Sequence, residues 1–130
     1  FALMLDINGY ITEGTAANIF FVRDGVLYTP GQHNILVGCS RQKIIQLAAK
    51  LGIQIVERDI TLYEAYTCQE AFWTATSYCL LPINMIDGRP IGESYPGPLT
   101  QRLLDAWGAE IGIDIIAHSM KYERLRREVE

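Results

Sequence analysis

The stretch "NIFFVRDGVLYTP" (residues 18–30) decides the fold. Two runs of aliphatic and aromatic residues flank Asp24-Gly25, a pair that accepts positive φ at low cost, so the chain reverses there into an antiparallel hairpin. The same chemistry recurs on either side. Asn8-Gly9 pairs "ALMLDI" with "YITEG", and Asp87-Gly88 pairs "LPINMI" with "RPIGE". "QIVERDI" and "EAFWTAT" are two further strand candidates. Between them the period changes to that of a helix from Arg41 to Leu51, with Ile44, Ile45, Ala48 and Leu51 on one face and Gly52 as the stop. Thr61 and Glu64 have the spacing of a capping box, so a short helix follows. "GPLTQRLLDAWGAEIG" reads as the longest helix, with Pro98 in its first turn and Leu99, Leu103, Ala106 and Trp107 facing inward. These elements make a mixed α/β domain dominated by antiparallel strands.

Composition narrows the function classes. A chain of 130 residues that is 49% hydrophobic and 20% charged can bury a core, which excludes disorder and collagen-like repeats. A net charge of -4 without a long basic stripe argues against nucleic acid. The one basic cluster, "ERLRR" at 123–127, reads as a solvated helix end. Apolar runs are too short for a membrane span, and the start lacks the features of a signal peptide, so a cytoplasmic protein is expected. Cys39, Cys68 and Cys79 have neither metal-site nor disulfide spacing and read as buried thiols, with no metal expected. The opening "FALMLDI" is strand-like and has no initiator Met, so it reads as part of something longer.

Three stretches could carry chemistry, each with a plainer alternative. In "GYITEGTAANIF", Glu13 is either a solvated carboxylate at a strand end or a ligand group, and the small residues after it leave room for a flat molecule. In "ILVGCSRQKII", Gly38 and Ser40 precede a helix whose free N–H groups could hold an anion such as phosphate. Equally, Ser40 could only cap the helix, Gly38 could only make the turn, and Arg41 could be an exposed first-turn residue. In "FWTATSYCLLPI", a strand ends in Thr74, Ala75, Thr76 and Ser77, which either line a polar strand face or offer hydroxyl and N–H donors to an anion.

Taken in order, the blocks "LDINGYITEGTAANIFFVRDGVLYTP", "ILVGCSRQKIIQLAAKLGIQIVER", "EAYTCQEAFWTATSYCLLPINMIDGRPIG" and "GPLT" resemble the C-terminal domain of class IV (fold type IV) aminotransferases, which use pyridoxal 5′-phosphate. The resemblance runs from about Leu3 to Leu104. It implies a largely antiparallel, barrel-like sheet with flanking helices, as in the D-amino-acid aminotransferase fold. Residues 1–130 would then be one domain, the C-terminal cofactor-binding part of a longer chain whose N-terminal domain lies outside this sequence. By the same resemblance Glu13 binds the protonated pyridine nitrogen, and the charged ring stabilises the carbanion left when the substrate loses its α-proton. Gly14 would allow close approach of the ring. Gly38, Cys39, Ser40 and Arg41 match the family's turn before the helix, so Cys39 and Ser40 would hold the phosphate. Ala75, Thr76 and Ser77 match its Gly-Thr-Ala block, so Thr76 would be a second phosphate anchor, and the backbone of Thr76 and Ser77 would face the substrate carboxylate.

The chain also departs from the family. Ala17 stands where branched-chain enzymes carry an acid before Asn18, Ala75 replaces a Gly, and Cys79 stands where several relatives carry Glu. These departures count against branched-chain specificity. The Schiff-base lysine of the family has no counterpart in the twelve residues before Glu13, and Lys43, Lys50 and Lys121 fit helix surfaces. The expectation is an enzyme that, as a full-length homodimer, transfers an amino group between an amino acid or amine and a 2-oxo acid, while this chain alone turns nothing over. The alternatives are a lyase of the aminodeoxychorismate type, a binding module that keeps the phosphate cradle without catalysis, and a purely structural domain.

Overall fold

The computed structural model of the protein describes residues 1–129. Its centre is the strand formed by Asn18–Arg23. Five strands make one sheet: Asn18–Arg23 (β3), Val26–Thr29 (β4), Ile55–Glu57 (β5), Glu70–Ala75 (β6) and Cys79–Ile83 (β7), in the order β5-β4-β3-β6-β7. Neighbours are antiparallel except β4 and β5, which are parallel and joined through the helix Cys39–Lys50 (α1). The hairpin at residues 18–30 forms as expected, with Asp24 and Gly25 both at positive φ (51° and 75°).

Both faces of the central strands are covered. On one side Phe20, Val22 and Phe72 pack against Ile44, Leu47 and Ala48 of α1 and against Leu99, Leu103 and Trp107 of the helix Pro98–Ile111 (α3). Phe20 and Phe72 lie opposite each other with ring centroids 5.2 Å apart and planes at 13°. Burying each ring stabilises the fold by about 2 kcal/mol. On the other side Ile19, Phe21, Ala71 and Trp73 meet Ile11, Ala65 and Ile86. Those three belong to the ribbon Leu3–Leu5 (β1) with Ile11–Gly14 (β2), the short helix Leu62–Tyr66 (α2) and the ribbon Met85–Ile86 (β8) with Arg89–Pro90 (β9). The Thr61–Glu64 capping box forms in full at the start of α2.

Several expectations need correction. The sheet is open, with β5 and β7 as its edges, and no closed barrel forms among the described residues. "LPINMI" is not one strand: its first part extends β7 beside β6, the chain leaves the sheet at Asn84, and only Met85–Ile86 pairs across Asp87-Gly88. The longest helix is Ile115–Val129 (α4), one residue longer than α3, at 15 residues against 14. "ERLRR" falls in α4, and the side chains of Glu123, Leu125 and Arg126 lie outside the described residues. No helix among the described residues is long and apolar enough to cross a membrane.

The start of α3 is fixed by a buried carboxylate. Glu70 on β6, 8% exposed, accepts hydrogen bonds from the backbone N–H groups of Leu99 (3.0 Å) and Thr100 (2.7 Å). These are donors that no intrahelical carbonyl can satisfy, and the negative charge sits where the helix dipole favours it. Glu70→Ala is therefore expected to destabilise the protein by about 2 kcal/mol. The check is the urea-unfolding midpoint, and an unchanged midpoint would show that α3 is held by its apolar face alone.

Candidate functional site

Glu13, at the end of β2, leads into a tight turn in which Gly14 N–H bonds the Ala17 carbonyl at 2.7 Å. Thr15 and Ala16 form the tip of that turn and line one side of a cleft of about 210 Å³. Leu36 and the first turn of α1, from Gly38 to Ser40, line the second side, and Thr74 to Thr76 line the third. The predicted residues Glu13, Gly38, Cys39, Ser40 and Thr76 thus meet around one space. Ser77 is in the same β6–β7 turn as Thr76 but is not part of the lining.

The cleft has two chemically distinct ends. At one, Glu13 Oε2 accepts hydrogen bonds from Asn18 Nδ2 (3.1 Å) and from the Leu36 backbone N–H (3.0 Å). Both donors use the same oxygen, which fixes the carboxylate and leaves Oε1 without a hydrogen-bond partner among the described residues. At the other end, the first intrahelical bond of α1 runs from Gln42 N–H to the Gly38 carbonyl, so the N–H groups of Cys39, Ser40 and Arg41 lie ahead of the ladder. Gly38 is the N-cap residue and no side chain caps the helix, so Ser40 is not the cap. Such a terminus attracts anions through its free donors and the helix dipole.

Asn18 joins the two ends. It is 6% exposed; besides bonding Glu13, its Nδ2 donates to the Leu36 carbonyl (2.8 Å), and its Oδ1 accepts from Gly38 N–H (3.2 Å). A side chain at Gly38 could not coexist with this contact, because its Cβ would lie 2.5 Å from Asn18 Oδ1. The missing Cβ of Gly14 has a similar reason: it would meet the Trp73 ring at 2.7 Å, so the close approach there is to Trp73. Asn18 is not among the residues that the sequence marks as ligands. Its visible signal is a carboxamide opening a strand that is apolar from Ile19 to Val22.

Arg41 is buried, contrary to the expectation of an exposed first-turn residue. It is 0% exposed, and its Nη2 bonds Glu57 Oε2 (2.6 Å) and the Pro30 carbonyl (3.1 Å). Cys68 is buried and Cys79 half-buried, but Cys39 is exposed at the head of α1, because a helix N-terminus at the mouth of a cleft has no core behind it. Burial pushes the Cys68 thiol up to about 11. No lysine among the described residues lines the cleft. Lys43 and Lys50 both bond Glu110 on α3, Lys50 at 2.6 Å, and Lys121 lies on α4.

Known proteins share this fold. Residues 1–86 match the family model described as amino-transferase class IV. A branched-chain-amino-acid aminotransferase of Pseudomonas aeruginosa is 45% identical over 106 residues, covering 82% of this chain and 34% of that protein. The crystal structure of the Escherichia coli branched-chain amino acid aminotransferase superimposes with a TM-score of 0.78 at 39% identity, covering 85% of this chain and 36% of the other. The T.th. branched-chain amino acid aminotransferase, complexed with N-(5′-phosphopyridoxyl)-L-glutamate, gives a TM-score of 0.80 at 39% identity, covering 85% and 38%. The chain spans only 34% of the length of the curated Pseudomonas aeruginosa and Escherichia coli relatives.

The Arg41–Glu57 contact sets an acid limit on the platform under the cleft. The Arg41 hydrogen bond holds the Glu57 carboxyl below the usual carboxylate range against the opposing effect of desolvation, and Arg58 holds Glu64 down at about 2. Depressed carboxylates bind fewer protons folded than unfolded, so their stabilisation is complete above the unfolded value of 4.5 and is lost as pH falls through the lower folded values. The unfolding midpoint should fall steadily below pH 4.5. Glu57→Gln should lower stability by about 2 kcal/mol at neutral pH, a figure discounted because the Glu57 side chain is 35% exposed, and should flatten the acid limb. Coincident pH profiles for the two proteins would refute the assignment.

Proposed function

Because the chain belongs to the amino-transferase class IV family, we propose that it is the cofactor-holding C-terminal part of a pyridoxal-phosphate-dependent aminotransferase, acting on branched-chain or similar apolar amino acids and 2-oxo acids. The observation that carries this reading is the single cleft in which Asn18 ties a carboxylate to an open helix N-terminus. Pyridoxal phosphate has a basic ring nitrogen and a dianionic phosphate, so its chemistry matches the two ends. Glu13 would hold the ring nitrogen through its free Oε1 and keep a proton on it. The N–H groups of Cys39 and Ser40, the Ser40 hydroxyl and Thr76 would hold the phosphate. Gly38 serves by keeping the Asn18 contact close.

The cofactor, once bound, supplies an electron-withdrawing ring that stabilises negative charge at the substrate carbon when its proton leaves. The carboxylate of Glu13 favours that electron demand by holding the ring nitrogen cationic. Small side chains at Thr15, Ala16, Ala17 and Ala75 leave the space beside the ring open, and the Thr76 backbone at the cleft wall would face the substrate carboxylate, with Ser77 next to it in the same turn. Ala17, Ala75 and Cys79 depart from the branched-chain pattern, yet the relatives that match most of this chain carry that name, which supports that substrate class and the transaminase over the lyase. With no lysine at the cleft, the covalent anchor and proton carrier would come from a preceding domain of the same polypeptide. A cytoplasmic homodimer completes the reading.

The test is to incubate the complete protein with pyridoxal phosphate, reduce with borohydride and locate the modified lysine by peptide mass. One labelled lysine preceding Phe1 is expected, and a label at Lys43, Lys50 or Lys121 would overturn the reading. In the same protein Glu13→Gln should cut the transamination rate by a factor on the order of 100 or more while leaving the unfolding midpoint nearly unchanged. Near-normal turnover would remove Glu13 from the ring-holding role.

A further inference from the structure

Thr74 carries a buried polar atom that the fold does not use. The residue is 2% exposed, and its Oγ1 has no hydrogen-bond partner among the described residues. Buried hydroxyls are nearly always paired, and leaving one unpaired costs about 1–3 kcal/mol. Valine has the same shape and an equal preference for strands, so packing alone gives no reason for a hydroxyl here.

The position of Thr74 supplies one. It lines the cleft, and it lies directly across the β3–β6 ladder from Asn18. Directly paired residues project from the same face of a sheet, so Thr74 shares the face from which Asn18 reaches Gly38 N–H at 3.2 Å. That face is the one covered by α1, as the neighbouring Phe20 and Phe72 show by packing against Ile44. The residue with the unpaired hydroxyl therefore lies on the sheet face that α1 covers and lines the same cleft as Gly38, Cys39 and Ser40 at the α1 N-terminus. Thr76 reaches the same cleft from an exposed turn, whereas Thr74 is fixed within an internal strand of the sheet.

We propose that Thr74 is a further anchor of the cofactor's phosphate, donating its hydroxyl hydrogen to a phosphate oxygen held at the α1 N-terminus. The assignment rests on the cofactor reading given under Proposed function, and it explains why a hydroxyl is kept in a buried strand position.

The experiment measures the affinity of the complete protein for pyridoxamine 5′-phosphate and for pyridoxamine, which lacks the phosphate, together with the Tm of the cofactor-free protein. Neither ligand carries the aldehyde, so both report the non-covalent hold. Thr74→Val should weaken pyridoxamine 5′-phosphate roughly tenfold to a hundredfold and leave pyridoxamine within about twofold, as loss of one bond to a charged acceptor requires. Its Tm should be no lower than that of the unsubstituted protein, and Thr74→Ser, which keeps the hydroxyl, should retain the phosphate-dependent affinity. Unchanged pyridoxamine 5′-phosphate affinity in Thr74→Val would overturn the assignment while leaving the cofactor reading intact. Equal weakening for both ligands with a lowered Tm would make Thr74 a packing residue and overturn it too. Failure of the unsubstituted protein to bind pyridoxamine 5′-phosphate would bring down the cofactor reading and the Thr74 assignment with it.

Discussion

One buried carboxamide sets the distance between the two ends of the cleft. Asn18 is the first residue of the central strand, and its side chain bonds a carboxylate on one side and the head of a helix on the other. Because β3 is packed on both faces, that side chain has little freedom to yield. A ligand that must touch both Glu13 and the α1 N-terminus therefore meets a spacing set by the core of the sheet rather than by loops. Sites carried on such rigid elements hold their geometry without reorganising when the ligand arrives.

The two helices on the same face are attached to the sheet by polar contacts near their N-termini as well as by apolar stripes. Glu70 caps α3 from β6, and Arg41 in the first turn of α1 is clamped by Glu57 at the end of β5 and by the Pro30 carbonyl. Apolar burial decides that helices cover this face, but it is tolerant of sliding. The directed bonds fix where along the sheet each helix begins, and that start point is what matters when the free N–H groups of α1 serve as donors.

Much of this was legible in the chain because it is local. The Asp24-Gly25 and Asp87-Gly88 reversals, the Thr61–Glu64 cap and the inward face of α3 each depend on residues within a few positions of one another. The convergence of Glu13, Ser40 and Thr76 was legible only through the family resemblance that the ordered blocks carry, since no block alone implied it. What could not be read is set by distant partners. Burial of Arg41 depends on Glu57, sixteen residues away, and on the Pro30 carbonyl. Whether the sheet closes depends on its two edges, β5 and β7, which no nearby residue pattern brings together. The bridging role of Asn18 involves residues 13, 36 and 38, so the strand pattern showed only that a polar residue interrupted it.

The packing of Gly14 against Trp73 bears on how this scaffold can change over evolutionary time. Any side chain at Gly14 must displace an indole that is 8% exposed and sits in the core under β2, so the residue next to Glu13 is closed to variation. Thr15 and Ala16 at the tip of the same turn are exposed and border the cleft. Variation along this wall of the cleft is thereby channelled into a two-residue window whose replacement leaves both the core and the Glu13 carboxylate in place. A library of variants at the cleft would find its tolerated members there, because the scaffold separates the residues that can drift from those that cannot.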